Sequence, residues 1–188
     1  MIPSKTGYRI IHKEVISDVT KLMIVDAPHI ARNARAGQFV IIRVDDRGER
    51  IPLTIADFDK ESGSITIVFQ EVGKTTKHLG TLTVGDAIAN IAGPLGHPTD
   101  IENYGTVICI GGGVGIAPIY PIARALKEAG NKVISIIGAR ARSLIFWEDK
   151  LRAVSDEVIV CTDDGSYGRK CLVTEPLKEI LTEKGDKI

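Results

Sequence analysis

The chain has 188 residues, with 24 Lys and Arg against 24 Asp and Glu, 44% hydrophobic residues and three cysteines. That length fits one large domain or two small ones, and the composition is that of a folded protein. A formal net charge of zero argues against binding to nucleic acid or to a membrane surface, since both partners select a basic excess.

Up to about Pro94 the sequence predicts short β-strands separated by glycine-containing turns. Residues 64–69 alternate in polarity, which places Ile65, Ile67 and Phe69 on one face of a strand. Similar β-branched runs cover residues 19–25, 38–44 and 87–91. Many short strands at this spacing are typical of a small antiparallel barrel or sandwich.

After Asn103 the pattern changes to alternating strands and helices. Residues 106–110 read as an apolar strand, and apolar residues then recur at helical spacing until Gly130. Further strands are expected at residues 132–137 and 157–161, and further helices at residues 144–151 and 176–181. This alternation predicts a parallel α/β sheet. We place the domains at residues 1–100 and 101–188, and we expect the second to be truncated because no strand follows its last helix.

The uncharged stretch of residues 103–123 contains five glycines and two prolines, so we interpret it as a buried strand, a loop and a helix start, and not as a membrane span. Cys109, Cys161 and Cys171 form no CxxC pair, which argues against zinc-ribbon and thioredoxin-type sites and against a disulfide framework. They are also too few for a four-cysteine iron–sulfur cluster. This cysteine usage favours a cytoplasmic protein, and the scattered histidines predict no metal site.

The strongest local signal is the run of residues 110–118, Ile-Gly-Gly-Gly-Val-Gly-Ile-Ala-Pro. Glycines between a strand and a helix let backbone N–H groups approach a pyrophosphate. The run departs from G-x-G-x-x-G because Ile116 occupies the third glycine position, and it lacks the Gly-Lys-Ser/Thr of a P-loop. We favour nucleotide binding over a plain turn, since a turn rarely needs four glycines in five residues.

Two further segments carry groups suited to a nucleotide. Gly73, Lys74, Thr75 and Thr76 offer backbone amides, a lysine and hydroxyls to a phosphate, and the same residues would equally suit a capped helix start. Residues 163–165, Asp-Asp-Gly, follow the third predicted parallel strand, at the sheet edge where open α/β folds bind ligands. Their carboxylates could bind ribose hydroxyls or, less favourably, a metal; the alternative is an Asx turn.

Together these segments resemble the ferredoxin–NADP reductase superfamily. Residues 36–40 (Ala-Gly-Gln-Phe-Val), 51–54 (Ile-Pro-Leu-Thr), 73–76, 93–96 (Gly-Pro-Leu-Gly) and 112–118 match its barrel, flavin and dinucleotide motifs. Residues 162–168, Thr-Asp-Asp-Gly-Ser-Tyr-Gly, resemble the branch that contains the electron-transfer subunit of dihydroorotate dehydrogenase and the small subunit of NADH-dependent ferredoxin:NADP oxidoreductase. Residues 49–58 look most like the latter.

The resemblance implies an antiparallel Greek-key β-barrel that binds FAD, followed by a truncated parallel α/β domain that binds NAD(H). It implies an oxidoreductase subunit that transfers electrons through FAD between NAD(H) and an iron–sulfur flavoprotein large subunit or a ferredoxin. No side chain need be catalytic. The implied cofactor-binding residues are Arg50, Pro52, Leu53, Thr54, Val68, Phe69, Gly73, Lys74, Thr75, Thr76, Gly112, Gly113, Val114, Gly115, Ala117, Pro118, Ala139, Arg140, Asp163, Asp164 and Gly165.

The sequence also departs from the superfamily's motifs. Ile51 stands where an arginine faces the flavin phosphates, so we expect Arg50 to substitute, and Leu53 replaces the tyrosine that lies on the flavin. Cys171 stands where glycine is expected. Members of this branch continue for about another third of their length, into a [2Fe–2S] segment, so we expect this chain to carry no iron–sulfur cluster and to transfer hydride slowly on its own.

Two choices remain open at this point. Arg140 and Arg142 follow the second parallel strand, where arginines often mark NADP, but Asp163 and Asp164 and the resemblance favour NAD(H). The alternatives to an active electron-transfer subunit of this kind are the dihydroorotate dehydrogenase subunit itself and a nucleotide-binding module with no turnover of its own.

Overall fold

A computed structural model describes residues 7–184, apart from the side chain of Lys184. The chain forms two compact units that divide between Pro98 and Thr99. The described part of the first unit contains seven strands and two helices: β1 (Tyr8–Val15), β2 (Thr20–Asp26), α1 (Pro28–Asn33), β3 (Phe39–Arg43), β4 (Arg50–Asp59), β5 (Ser64–Gln70), α2 (Lys74–Thr81), β6 (Ala87–Ile88) and β7 (Asn90–Leu95).

The first unit is a curled antiparallel sheet. Its strands follow the order β6-β1-β2-β5-β4-β3-β7, and every neighbouring pair is antiparallel. The strands at the two ends of this order, β6 and β7, are separated along the chain by Ala89 alone. Because one residue joins its two ends, the sheet has to curl round on itself, which confirms the predicted barrel-like antiparallel architecture.

The interior of this unit follows from the alternation seen in the sequence. Ile65, Ile67 and Phe69 of β5 are all buried and belong to one apolar cluster with side chains of β1 to β4 and α1. Burying a side chain of this size contributes roughly 1.5–3 kcal/mol to stability. The cluster therefore provides the first unit with a core of its own.

The turn before β3 is explained by its contacts with the end of β7. The Gln38 side chain accepts a hydrogen bond from the Arg35 N–H (2.9 Å) and donates one to the Gly96 carbonyl (2.9 Å). Gly96 lies against the Phe39 ring, where a Cβ would come within 2.9 Å of ring carbon. The Gly-Gln-Phe and Gly-Pro-Leu-Gly segments therefore position each other.

The second unit is a parallel sheet with helices. Its described strands and helices are β8 (Thr106–Gly112), α3 (Ile116–Glu128), β9 (Lys132–Ala139), α4 (Glu148–Val154), β10 (Glu157–Thr162), β11 (Arg169–Lys170) and α5 (Thr174–Lys184). The strands follow the order β11-β10-β9-β8 and all pairs are parallel. This confirms the predicted parallel α/β architecture.

Both faces of the parallel sheet carry apolar clusters. On one face Val133 and Ile137 pack with Tyr120 and Leu126 of α3 and with Leu151 of α4. On the other face Ile134, Ile136 and Cys161 are buried, and Leu177 and Ile180 of α5 pack against them. A strand buried on both faces reads as a nearly continuous apolar run, as at residues 133–137, where Ser135 is the one polar residue.

The secondary-structure predictions differ from the structure in detail. The helix expected at residues 144–151 is Glu148–Val154, because Ile145 and Phe146 reach the core from an extended segment and Trp147 has a left-handed φ of 56°. The strand expected at residues 87–91 is broken at Ala89 into β6 and β7. The parallel sheet has a fourth strand, β11, whose two residues are too few to leave a pattern in the sequence.

Candidate functional site

The first candidate site is the N-terminus of α2. Lys77 N–H donates the first helical hydrogen bond, to the Gly73 carbonyl, so the N–H groups of residues 74–76 have no partner within the helix. The Thr76 hydroxyl lies 3.0 Å from the Gly73 nitrogen and 3.1 Å from the Gly73 oxygen, and it holds the turn in place. Three free amides, beside the exposed Lys74, can bind an anion.

Gly73 is not required by the local backbone. Its φ is −125°, which any residue adopts, and the nearest atom to a Cβ built on it is the Thr76 hydroxyl at 3.9 Å. Ser, Thr, Asp and Asn are the leading residues at a helix N-cap, and glycine is less enriched there. A glycine at a position that the fold leaves open is expected where a ligand approaches the backbone closely.

The predicted flavin motif occupies the first half of β4. Ile51 and Leu53 pack against the core, so by strand alternation Arg50, Pro52 and Thr54 share the opposite face. Arg50 and Pro52 are exposed and Thr54 is half-buried. A strand face that offers one cation and one hydroxyl can contact both the phosphates and the ring of a cofactor.

The structure brings these two elements together. The Thr75 hydroxyl donates to the Glu49 carboxylate at 3.4 Å, which places the start of α2 beside the start of β4. Val68 and Phe69 of β5, also predicted as site residues, are 8% and 2% exposed, so only their backbone is available to a cofactor. The Leu53 side chain is half-buried and packs against the apolar core of the first unit.

The second candidate site is the glycine loop between β8 and α3. Gly111 is structural, because a Cβ there would lie 2.7 Å from the Gly115 carbonyl oxygen. Gly113 has a φ of 54°, a left-handed conformation that side chains rarely adopt. Two of the four glycines are therefore explained by packing and backbone conformation.

Gly112 and Gly115 are not explained in this way. A Cβ on Gly112 would meet nothing closer than 3.9 Å, and one on Gly115 would meet nothing within 4 Å. Their φ values, −118° and −64°, suit any residue. Of the other predicted loop residues, Val114 and Pro118 are half-buried, whereas Ala117 is buried in the core and offers a ligand only its backbone.

The ends of β9 and β10 meet as predicted. Asp163 N–H donates to the Ala139 carbonyl and Asp164 N–H donates to the Arg140 carbonyl, each at 3.1 Å. Gly165 follows with a φ of 76°. The structure therefore brings all five of the predicted residues of this edge together, with Ala139 and Arg140 at the end of β9 and Asp163, Asp164 and Gly165 in the turn after β10.

The two aspartates of this turn differ in their chemistry. The Asp164 carboxylate accepts a hydrogen bond from the Ser166 N–H (2.9 Å), an Asx turn, and its hydrogen bonds with Ser166 lower the pKa of Asp164 below its usual value. Asp163 is exposed, and its carboxylate accepts none of the hydrogen bonds found among the described residues. Asp163 is therefore the carboxylate available to a ribose.

The predicted cofactor-binding residues did not include the neighbours of this turn. Arg142 N–H donates to the Ser166 hydroxyl (2.9 Å), and the Arg142 guanidinium lies 4.8 Å from the centre of the Tyr167 ring. The Tyr167 hydroxyl donates to Glu148 at 3.2 Å. Arg142, Tyr167 and Glu148, with Phe146, Trp147 and neighbouring residues, line a cavity of about 530 Å³. The available signals were Arg142 after β9 and the Ser-Tyr that follows the aspartates.

Residues 7–184 contain neither a candidate metal site nor a helix that could cross a membrane. No group of three or more His, Cys, Asp or Glu side chains is placed to hold a metal ion. Over the same residues, none of the helices is both long enough and apolar enough to cross a membrane. The expected absence of an iron–sulfur cluster stays a prediction.

Comparison with known proteins decides the family. Residues 8–99 match the oxidoreductase FAD-binding domain family. The dihydroorotate dehydrogenase B (NAD(+)) electron transfer subunit of Geobacillus thermodenitrificans is 31% identical over 176 residues, which cover 90% of this chain and 68% of that protein. The chain belongs to this family of FAD-binding oxidoreductases. The resemblance to the ferredoxin–NADP reductase superfamily is thereby confirmed.

Other relatives agree with this assignment. A dihydroorotate dehydrogenase B electron transfer subunit homolog of Thermotoga maritima is 48% identical over 160 residues, 85% of this chain and 56% of that protein. A solved structure of an NADH-dependent reduced ferredoxin–NADP oxidoreductase superposes with a TM-score of 0.89 at 42% identity, covering 97% of this chain and 66% of that chain. The chain thus spans about 56 to 66% of these two relatives.

Proposed function

We propose that this chain is a flavin-dependent electron-transfer subunit that binds FAD on its first unit, binds NAD(H) on its second unit, and passes electrons between NAD(H) and an iron–sulfur partner. The observation that supports this most is the pair of glycines, Gly73 and Gly115, that stand at two loop–helix junctions where the fold has room for a side chain. A pyrophosphate needs a backbone that it can approach without a Cβ.

FAD, when bound, supplies the redox chemistry by accepting an electron pair and releasing electrons one at a time. The role of the chain is to bind and orient it. The N–H groups of Lys74, Thr75 and Thr76 would hold the phosphates, with Arg50 as the nearby cation on β4. The Thr54 hydroxyl would hydrogen-bond the flavin ring, and Pro52 and Leu53 would pack along it, next to the backbone of Val68 and Phe69.

NAD(H) would bind across the carboxyl ends of β8, β9 and β10. The backbone amides of Gly112, Gly113, Val114 and Gly115 would hold its pyrophosphate at the start of α3, with Ala117 and Pro118 in the first helical turn. Asp163 would accept hydrogen bonds from ribose hydroxyls. The aromatic cavity beside Tyr167 is large enough for part of a nucleotide.

The preference for NAD(H) over NADP(H) is argued from charge. Asp163 and Asp164 would repel a ribose 2′-phosphate at the same edge. The Arg142 guanidinium, a candidate phosphate ligand, already lies over the Tyr167 ring. The relatives named for NAD(+) and NADH support the same choice. Faster reduction of bound flavin by NADPH than by NADH would reverse it.

The partner would be an iron–sulfur flavoprotein large subunit or a ferredoxin, as expected for a cytoplasmic electron-transfer subunit. A dihydroorotate dehydrogenase catalytic subunit is the second candidate, because several relatives carry that name. The two candidates differ in what NADH would reduce in the assembled complex. Reduction of ferredoxin supports the first, and formation of dihydroorotate from orotate supports the second.

The FAD site is tested by Gly73→Ala, measured as FAD affinity by quenching of flavin fluorescence. Since the new Cβ finds open space, the variant should fold normally but lose affinity at least about tenfold, the equivalent of ~1.4 kcal/mol. Val15→Ala is a control on the same unit, because its side chain is exposed and β2 and β5 separate β1 from β4 in the sheet order. Unchanged FAD affinity in Gly73→Ala would show that the site is elsewhere.

A further inference from the structure

Two of the three cysteines, Cys161 and Cys171, lie side by side although nine residues separate them in sequence. Cys161 is in β10 and is 1% exposed, whereas Cys171 follows β11 and is half-buried. Their sulfurs are 2.9 Å apart, and the Cys171 thiol donates a hydrogen bond to Cys161. Both thiols are free. The separation is about 0.9 Å longer than the 2.03–2.05 Å of a disulfide bond.

The pairing of β10 with β11 places the two cysteines next to each other. β10 and β11 are paired in parallel, with Cys161 opposite Arg169 and Thr162 opposite Lys170, so Cys171 is the next residue after the paired segment. Both cysteines belong to the same apolar cluster on the face covered by α5. Inside the loop, the Thr162 hydroxyl bonds to both the nitrogen and the oxygen of Tyr167.

We infer that Cys161 and Cys171 form a reversible intrachain disulfide on oxidation, which closes a covalent ring around residues 162–170. These nine residues include Asp163, Asp164 and Tyr167. The loop is bonded to the end of β9 and to Arg142. The cross-link would therefore lock the sheet edge at which we propose that NAD(H) binds; its formation can be measured whether or not that proposed function is correct.

The oxidant would be a hydroperoxide, and the electron balance closes without any group from another protein. The Cys171 sulfur, the more exposed of the two, attacks the peroxide O–O bond to give a sulfenic acid and one water. The Cys161 sulfur then displaces the sulfenic hydroxyl, which leaves as a second water as the S–S bond forms. Two thiols lose two electrons and two protons in total, and one hydrogen peroxide is reduced to two waters.

The order of attack follows from the environments of the two thiols. Burial raises the pKa of the Cys161 thiol to about 12, so Cys161 is a poor first nucleophile. Cys109 provides an internal comparison. It lies on β8, two strands away from β10 in the sheet order, and burial raises the pKa of its thiol to about 11. Cys109 should stay reduced.

The experiment is a thiol count and a peptide map of the full chain after treatment with hydrogen peroxide. Thiols titrated in denaturant should fall from three to one per chain and return to three with dithiothreitol. Trypsin cuts after Arg169 and Lys170, between the two cysteines, so the disulfide should join the peptides 153–169 and 171–178. The joined species should be two hydrogens lighter than the sum of its parts.

Variants make the assignment specific. Cys171→Ser should keep two titratable thiols after the same treatment and yield no joined peptide, whereas Cys109→Ser should still yield it. The wild-type peptide map needs no variant, so the test stands even if one of them folds poorly. Three thiols remaining in the wild type, a disulfide that contains Cys109, or Cys171 recovered as sulfinic acid would each overturn the inference.

Discussion

Glycines in the loop between β8 and α3 serve three physical purposes. Gly111 lets the loop approach the end of the strand, Gly113 supplies a left-handed turn, and Gly112 and Gly115 leave space that the fold does not fill. Only the last purpose points to a ligand. The sequence showed that four glycines were present, but their different roles depend on φ angles and on neighbours that no sequence pattern reports.

Gly115→Ala should therefore affect binding and not folding. Gly115 has a helical φ, and a Cβ built on it meets no atom within 4 Å. Alanine fits there without strain, so the Tm of the variant should stay within a degree or two of the wild-type value or rise. Affinity for NADH should fall at least about tenfold, or ~1.4 kcal/mol, because the Cβ occupies the path of the pyrophosphate. Isothermal titration with NADH checks this prediction.

Gly113→Ala is the matched comparison in the same loop. Its φ of 54° makes a side chain strained, at a cost of roughly 1–2 kcal/mol, so this variant should lower Tm. If Gly115→Ala bound NADH with wild-type affinity, or if it lost as much stability as Gly113→Ala, Gly115 would not be the residue that lets the pyrophosphate approach.

The two aspartates after β10 should also separate in experiment. Asp163→Asn should weaken NADH binding at least about tenfold through the loss of charge-assisted hydrogen bonds to ribose, which are worth about 1.5–3 kcal/mol. Asp164→Asn should act mainly on the loop, since that carboxylate is bonded to the Ser166 N–H. Titration of both variants with NADH measures the two affinities. A larger affinity loss in Asp164→Asn would indicate that Asp164, and not Asp163, binds the ribose.

At the scale of elements, Asp156 joins three parts of the second unit. Its carboxylate accepts hydrogen bonds from Lys127 near the end of α3 (2.7 Å) and from the Val133 N–H of β9 (2.8 Å), and it precedes β10. These two bonds lower the pKa of Asp156 below its usual value. A carboxyl whose pKa is lower in the folded than in the unfolded chain stabilises the fold above its usual pKa of 3.8.

This contribution should be lost as pH falls through the folded pKa. Asp156→Asn should lower Tm by a few degrees at pH 7, and the difference from the wild type should shrink below about pH 4, the region in which carboxyl groups become protonated. Thermal unfolding of both proteins from pH 7 to pH 3 measures this difference in Tm. A difference that stays constant over that range would contradict the assignment.

The helix α2 offers a test of its own, since it carries matched threonines at its two ends. The Thr76 hydroxyl organises the N-terminal turn, whereas the Thr81 hydroxyl bonds to the His78 carbonyl at the other end. Thr76→Val should lower FAD affinity by roughly 1–3 kcal/mol, and Thr81→Val should leave it unchanged. Equal effects, read from flavin retention, would indicate general damage to the helix and not a site at its start.

Strands with a clear pattern were predictable and strands without one were not. Residues 64–69 were found from their alternation, although the structure buries both faces of β5. Residues 132–137 were found from a nearly continuous apolar run, which is typical of a strand buried on both faces. β1 was missed because charged residues are spread along it, including Lys13, whose ammonium bonds to carbonyls at the end of α2. Pro52 obscured β4, although it lies before the segment of β4 that pairs with β5.

For the whole molecule, two independent apolar cores explain why the two halves differ so clearly in pattern. The sequence predicted a barrel and a parallel sheet from periodicity, and the family from short motifs. It did not predict contacts between positions far apart in sequence, such as Thr75 with Glu49, Arg142 with Tyr167, or Cys161 with Cys171. Such contacts depend on register and loop path, which single-residue patterns do not encode.

If the proposed function is correct, one chain binds both FAD and NAD(H) and passes electrons between them. The direct measurement is the visible absorption spectrum of the purified chain, reconstituted with FAD and freed of unbound flavin, before and after anaerobic addition of NADH. We expect about one flavin per chain and bleaching of its absorption by NADH, more readily than by NADPH. A protein that retains no flavin, or a bound flavin that neither nucleotide bleaches, would contradict the proposed function.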